Sequence, residues 1–110
     1  MRHRGAIVLL ATKGAYTGKP RPWVVVQNSA FAGLDSVTVC LITTELIVGV
    51  PMLRVDVKPT PVNGLTAESQ VQIDKIVTVP AGKINLKIGV LEDTIMQSVS
   101  SAIAFFLDLS

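Results

Sequence analysis

The chain has 110 residues and a formal net charge of +2, with ten Lys and Arg, eight Asp and Glu, and one histidine. This length predicts a single domain over residues 1–110 with one hydrophobic core. The mean hydropathy of +0.53 is high, but no apolar run approaches the ~20 residues that span a bilayer. We therefore expect no membrane-spanning segment, and we attribute the hydropathy to a dense core, a protein partner, or both.

The N-terminal segment MRHRGAIVLLATKGAY is basic and then apolar, in the order of a secretory signal. Its apolar part, AIVLLA, is shorter than the roughly 7–15 residues of a signal's apolar region. We therefore expect a cytoplasmic protein whose basic N-terminal tail frays.

Basic side chains are concentrated early in the chain, before the first acidic residue, Asp35. They are Arg2, Arg4, Lys13, Lys19 and Arg21. With Tyr16 and Trp23 nearby, this region suits an anionic polymer or an acidic partner segment. Solubilising charge on exposed loops would give the same distribution.

Short runs rich in Val, Ile and Thr, bounded by Gly, Pro, Asn or Asp, predict strands along most of the chain. In order, they are GAIVLLA, PWVVVQN, SVTVCLIT, MLRVDVKP and SQVQIDKIVTVP. This spacing predicts a mainly β fold, either a compact sheet or a small barrel. The loop Thr12–Pro20 carries two glycines and is expected to be mobile, and Asn63-Gly64 marks a turn.

The period changes after Asp93, where apolar residues recur at spacings of four, three and four. They are Ile95, Val99, Ala102 and Phe106. This pattern predicts one amphipathic C-terminal helix packed on the sheet. Phe105 widens the apolar face, so the helix is also a candidate contact with a second copy of the chain.

Arg21 stands between Pro20 and Pro22 at the start of an apolar run. Pro22 biases Arg21 toward an extended conformation, and Pro20 fixes its own φ and lacks an N–H. Two interpretations remain open from the residues alone. Arg21 is either a solvated charge at a rigid strand start or a cation held in place for a ligand.

The single cysteine, Cys40, lies in the alternating run SVTVCLIT and is expected to be a small buried hydrophobe. It has no second cysteine for a disulfide, and the only histidine, His3, lies in the N-terminal tail. We therefore expect neither a Cys/His enzyme nor a metal site.

Five segments occur in a characteristic order: Gly5-Ala6-Ile7-Val8; Lys19-Pro20-Arg21-Pro22 followed by WVVVQ; VCLITT from Val39; SQVQIDKIVTV from Ser69; and Ile88-Gly89-Val90-Leu91 followed by Asp93-Thr94-Ile95-Met96. In this order and spacing, the segments resemble the MazF/PemK/Kid family of plasmid-maintenance toxins. These proteins are the ribonucleases of type II toxin–antitoxin modules.

The resemblance implies an SH3-like small β-barrel with a C-terminal α-helix, assembled as a homodimer. It implies metal-independent, sequence-specific cleavage of single-stranded RNA, commonly mRNA, which inhibits translation and growth. It also implies a cognate antitoxin that lays an extended, acidic segment across the toxin, a complex that binds DNA, and no cofactor.

Cleavage of this kind requires a base for the 2′-hydroxyl, stabilisation of the phosphorane charge and protonation of the leaving oxygen. By resemblance, Arg21 holds the phosphate, Thr43 donates a hydrogen bond to it, and Asp74 acts as the base. For Asp74, an ion pair with Lys75 is the alternative. The residues expected to bind substrate are Tyr16, Lys19, Gln27, Thr44, Arg54, Gln72 and Lys75.

Three positions depart from the family pattern. Gln72 stands where some relatives carry Arg, Ala81 where many carry a basic residue, and Ala6 where an acid is usual. These departures favour a mechanism centred on Arg21 and Thr43. They also leave open a catalytically silent binding module on the same fold. A gyrase poison of the CcdB type, which needs a C-terminal Trp-Gly-Ile, is less compatible with the ending FLDLS.

Overall fold

The computed structural model describes residues 2–11 and 19–109. Its strands are β1 (Ala6–Leu10), β2 (Arg21–Val25), β3 (Ser36–Thr43), β4 (Arg54–Val57), β5 (Ser69–Pro80) and β6 (Leu86–Val90), and its one α-helix in this part of the chain is α1 (Asp93–Phe106). The five predicted strands and the C-terminal helix are therefore confirmed. Most of the loop Thr12–Pro20 lies outside the described residues, so its expected mobility stays a prediction.

The strands form one antiparallel sheet in the order β4-β5-β3-β2-β1-β6. The pairing of β3 with β5 is interrupted, since Cys40 pairs with Ile76 whereas Ile42 pairs with Val71. Residues 72–75 thus lie opposite Leu41 alone. A bulge of this kind bends a strand and increases its twist. The bend curls the sheet into a half-barrel, which confirms the predicted SH3-like architecture with its terminal helix.

Apolar residues alternate along the strands and build a core on each face of the curled sheet. On one face, α1 packs Met96, Val99 and Ala102 against β4 and β5. On the other face, a second cluster contains Trp23, Leu41 and neighbours from β1, β2 and β3. The helix itself ends with its side chains exposed, because Phe105 and Phe106 lie outside the core.

β6 was not predicted as a strand, although its sequence alternates. Leu86, Ile88 and Val90 are separated by Lys87 and Gly89, and β6 pairs with β1 at the edge of the sheet. Its side chains are exposed or half-buried. This segment has fewer apolar residues than the predicted strands, so its sequence did not indicate a strand.

The turn predicted at Asn63-Gly64 is held by the buried Asn63 side chain. Its Oδ1 accepts hydrogen bonds from the N–H groups of Thr60 and Leu65, and its Nδ2 donates to the carbonyl of Lys58. Gly64 adopts a φ of +71°, and a Cβ there would collide with the carbonyl oxygen of Ile88. A Cβ on Gly89 would likewise collide with the backbone of Asn63.

The N-terminal segment contradicts the expected fraying. Arg4 donates hydrogen bonds to the carbonyl of Val26 and to the hydroxyl of Ser100 on α1, and Arg2 donates to the carbonyl of Leu34. Backbone and side-chain acceptors therefore tie the tail to the domain. Within the described part of the chain, no helix has the length and apolar character needed to cross a membrane.

Candidate active site

The candidate site is a row of side chains that crosses the sheet on the face opposite α1. The row consists of Arg21, Thr43, Gln70 and Asp56. The observed register pairs Leu10 with Arg21, Thr43 with Gln70, and Gln70 with Asp56. Trp23 pairs with Leu41 between β2 and β3, so the same register continued by two residues places Arg21 opposite Thr43. Residues paired across antiparallel strands point to the same face. The observed pairing of β2 with β3 ends at Trp23 and Leu41, and beyond it Arg21 and Thr43 lie on the same face at the same end of these neighbouring strands.

Arg21 begins β2 and is half-buried. Its guanidinium carries a positive charge, and its planar fork of N–H donors matches two oxygens of a phosphate. The flanking prolines restrict the backbone on both sides. A rigid, permanently charged group is thus held at the end of the row.

Thr43 ends β3 and is 8% exposed. Its Oγ1 accepts a hydrogen bond of 3.0 Å from the N–H of Glu45. A hydroxyl that accepts in this way keeps its own O–H hydrogen for donation. Thr44 is the next residue and is exposed at the same strand end.

Gln70 is a site residue that the sequence reasoning missed. It is 4% exposed and uses both ends of its amide. Its Nε2 donates to Asp56 Oδ1 (2.8 Å) and to the carbonyl of Ile47 (2.9 Å), and its Oε1 accepts from the N–H of Ile47 (3.1 Å). Gln70 therefore fixes the segment after Thr43 to the sheet. The only signal in the sequence was a polar residue in an apolar strand.

Arg54 extends this network from β4. Its Nη1 donates to the carbonyl of Glu45 (2.7 Å) and to Gln70 Oε1 (3.0 Å). Arg54 also pairs in register with Gln72 on β5. Arg54 was predicted to bind substrate. The structure places it on the same face as the row, on the strand next to the one that carries Gln72.

Asp74 lies in the bulged segment of β5, opposite Leu41. Its carboxylate forms an ion pair of 3.5 Å with Lys75, and both side chains are partly exposed. This contact matches the alternative interpretation for Asp74, and exposed pairs of this kind stabilise little. The bulge nevertheless places Asp74 beside β3 within two residues of Thr43.

Cys40 is fully buried, as predicted, and its thiol donates to the carbonyl of Gln72. Burial raises the pKa of Cys40 to about 12, and the charge of Asp74 adds to the effect. The thiol is therefore protonated and unsuited to nucleophilic chemistry.

The remaining predicted residues divide into two groups. Lys19 is exposed and lies two residues before Arg21, at the end of β2 where the row crosses. Tyr16 lies outside the described residues. Gln27 lies beyond the far end of β2, about 20 Å from Arg21 at ~3.3 Å per residue. There it accepts from the N–H of Thr38 and donates to the carbonyl of Phe31. The structure does not bring Gln27 to the row.

The family model of PemK-like, MazF-like toxins of type II toxin–antitoxin systems matches residues 3–107. The chain belongs to this family. It is also 40% identical to the probable endoribonuclease MazF of Mycolicibacterium smegmatis, over 107 residues that make up 97% of each protein. The resemblance on which Arg21, Thr43 and Asp74 were assigned is thus confirmed at the level of the family.

Solved structures of MazF-like toxins share the fold. The Mycobacterium tuberculosis toxin MazF-mt6 superposes with a TM-score of 0.79 at 27% identity, over 96% of this chain and 98% of the other. An endoribonuclease from a mycobacterial species, in complex with its cognate antitoxin, gives 0.80 at 22% identity, over 100% and 98%. The second likeness, at this identity, supports the fold alone.

Proposed function

We propose that this PemK/MazF-like protein is the toxin of a type II toxin–antitoxin module and cleaves single-stranded RNA, with mRNA as its target in the cell. The observation that supports the proposal is the register, which puts Arg21 and Thr43 on the face opposite α1 at the same end of two neighbouring strands. A permanent cation and a hydroxyl donor on adjacent strands can bind one phosphate together.

Arg21 stabilises the negative charge that develops on the phosphorane when a 2′-hydroxyl attacks the neighbouring phosphorus. A guanidinium is a poor proton donor, so charge stabilisation is its main role, and protonation of the leaving 5′-oxygen, by Arg21 or by solvent water, is secondary. The rigid backbone around Arg21 reduces reorganisation during the reaction. Because this role needs only the guanidinium, we propose that cleavage requires no metal.

Thr43 donates its O–H hydrogen to a non-bridging oxygen of the same phosphate. The N–H of Glu45 fixes the position of Oγ1 from the other side. Thr43 thereby orients the phosphate relative to Arg21 and adds a second donor as charge develops.

Asp74 takes the proton of the 2′-hydroxyl in this proposal. Its carboxylate is partly exposed, and the bulge carries it beside the strand that ends in Thr43. Lys75 then pairs with Asp74 in the resting protein and binds RNA phosphate when the carboxylate turns to substrate. Lys19 and Arg54 add positive charge on either side of the row, and Tyr16 and Thr44 complete the proposed contacts.

We further propose that the protein acts in the cytoplasm as a homodimer and that a cognate antitoxin inhibits it with an extended, acidic segment. Exposed apolar side chains near the C-terminus of α1 support a protein interface. They are Phe105, Phe106, Leu107 and Leu109. The net charge of +2 is compatible with an acidic partner.

The test is cleavage of a long single-stranded RNA by the purified protein in EDTA, with mapping of new 5′ ends. We expect discrete cuts, and Arg21→Ala should reduce the rate by at least about 100-fold, as loss of one preorganised charge donor does. Arg2→Ala is the matched control because, among the described residues, Arg2 donates to the carbonyl of Leu34, away from the row.

Intact RNA with the wild-type protein would exclude the nuclease and leave a silent binding module. Equal loss of activity in both arginine variants would refute the specific role of Arg21. Cleavage that disappears in EDTA and returns with a divalent cation would refute the metal-independent mechanism.

A further inference from the structure

A cavity of about 210 Å³ lies next to the candidate site, between the segment that follows β3 and the sheet. Residues 47–51 form its wall, and Arg54, Asp56 and Gln70 line its base. The volume is below the roughly 300–1,000 Å³ of pockets for drug-sized ligands. It therefore suits one planar ring system rather than a whole nucleotide.

The wall of the cavity is apolar and partly exposed. Ile47 and Val48 are 50% and 92% exposed, and Pro51 is exposed as well. Gly49 adopts a φ of +84°, which allows the segment to turn back over the sheet. Apolar side chains around a small cavity provide a surface on which the flat face of a base can pack.

The base of the cavity is polar and held by Gln70. The amide of Gln70 lies between the two charged groups, since it accepts from Arg54 Nη1 and donates to Asp56 Oδ1. Among the described residues, neither Arg54 nor Asp56 forms an ion pair within 4 Å. Arg54 and Asp56 thus each retain hydrogen-bonding capacity for a ligand, one as a donor and the other as an acceptor.

The cavity is correctly placed to hold a base of the cleaved RNA. Asp56 and Thr43 are separated by β5 alone, so two strand spacings put them about 10 Å apart. This separation is comparable with the distance from a phosphate to the far edge of its own base. A phosphate at Arg21 and Thr43 would place the adjacent base over Gln70.

We propose that this cavity binds a guanine of the RNA substrate and sets one position of the cleavage motif. A carboxylate only accepts hydrogen bonds and a guanidinium only donates them. Donors on two neighbouring atoms match the two oxygens of the Asp56 carboxylate, and an acceptor beside them matches Arg54. Among the RNA bases, guanine alone presents two adjacent N–H donors beside a carbonyl oxygen. This inference rests on the proposed RNA cleavage and adds the base that is recognised at one position of the cleavage motif.

The first experiment maps the cuts that the wild-type protein makes in a randomised pool of single-stranded RNA in EDTA. One position beside the cut should be restricted to guanine. Inosine at that position lacks the 2-amino donor and should slow cleavage by about 10-fold or more. 7-Deazaguanine, which differs only at N7, should leave the rate unchanged. These arms use the wild-type protein and do not depend on the folding of a variant.

The second experiment compares Asp56→Asn with Asp35→Asn, which makes the same change of charge at the far end of β3. Asp56→Asn should remove most of the preference for guanosine over inosine, by about 10-fold, while Asp35→Asn retains it. Binding of a 2′-O-methyl RNA with guanine or inosine at the position, measured by fluorescence anisotropy, gives the same comparison without cleavage.

Cleavage without a guanine-restricted position, or an unchanged preference in Asp56→Asn, would overturn the proposal. So would an Asp56→Asn variant that loses binding to an acidic antitoxin peptide but retains its cleavage motif. Guanine-selective binding without cleavage would support the cavity and refute the nuclease. Absence of both activities would refute both.

Discussion

The two faces of the sheet carry different kinds of side chain, and adjacent residues of β3 point to different faces. Ile42 points to the α1 face, where it is 1% exposed in the core, and Thr43 points to the opposite face, in the row with Arg21. The α1 face is apolar where the helix packs against it. The opposite face changes along its strands from an apolar cluster to the polar row. The fold therefore depends mainly on the α1 face, and the proposed chemistry depends on one end of the opposite face.

The largest effect expected is on stability, from the α1 face. Ile42→Ala should lower the free energy of unfolding by about 3 kcal/mol, because it removes buried methyl groups and leaves a cavity. Urea denaturation followed by circular dichroism measures this loss. A loss below about 1 kcal/mol would mean that the core relaxes around the cavity.

The neighbouring substitution should separate activity from stability. Thr43→Val removes the hydroxyl at nearly constant volume and leaves the partly buried N–H of Glu45 without this acceptor. We expect a change in stability below about 1 kcal/mol and a fall in RNA cleavage of roughly 10- to 100-fold. A variant that loses stability but cleaves normally would reverse the assignment of the two faces.

Gln70 connects the row to the segment that follows it, so its effect should be intermediate. Gln70→Leu leaves Asp56 and the backbone of Ile47 without their partner and should cost about 1–3 kcal/mol. Hydrogen exchange of the Ile47 amide should accelerate, because that N–H donates to Gln70 Oε1. Gln72→Leu, a half-buried glutamine on the same strand, is the control and should leave this amide protected.

The dependence of stability on pH tests how deeply the Cys40 thiol is buried on the α1 face. Its pKa is raised to about 12, first by burial and then by the charge of Asp74. The folded state keeps the proton where an unfolded thiol loses it, so the contribution of Cys40 to stability falls as pH rises between about 9 and 12. Iodoacetamide should not modify the native protein at pH 9 and should modify it in urea.

Asp74→Asn separates the two causes in the same assay. It removes only the smaller one, so the native thiol should remain unmodified. Rapid modification of this variant would indicate that the charge of Asp74, rather than burial, protects the thiol.

The smallest effect is expected from the exposed ion pair. Lys75→Ala should change the free energy of unfolding by less than about 0.5 kcal/mol, because solvent screens the contact with Asp74. Thermal unfolding at low and high salt measures this. RNA cleavage should respond more than stability if Lys75 contacts a phosphate, and an unchanged rate would remove Lys75 from the proposed site.

Periodicity predicted both the fold class and the strands that carry most of the core. The limits of β3 and β5 agree with the runs SVTVCLIT and SQVQIDKIVTVP, because β3 buries apolar residues on both faces and the first half of β5 buries Val71 and Ile73. β6 was not predicted as a strand because the side chains of this edge strand are only partly buried. The bulge in β5 could not be located from the sequence, because pairing with a distant strand determines it.

The candidate site was only partly predictable. Arg21 and Thr43 followed from the family motifs, and the register gave them a physical connection. Gln70 has no such motif, since its importance comes from partners on β4 and in the segment after β3. Gln27 ends the run WVVVQ that follows Arg21 in the family motif, but an extended chain advances by ~3.3 Å per residue and carries Gln27 away from Arg21.

The close approach of Gly64 to Ile88 and of Gly89 to Asn63 bears on genetic screens. Any side chain at either position meets backbone rather than a flexible neighbour, and Gly64 also adopts a positive φ. Growth of cells that express a mutagenised toxin selects for loss of toxicity. Both glycines should therefore be recovered as often as the residues of the row, although they lie in a turn and an edge strand. Soluble yield would separate these folding defects from variants that fold but no longer cleave RNA.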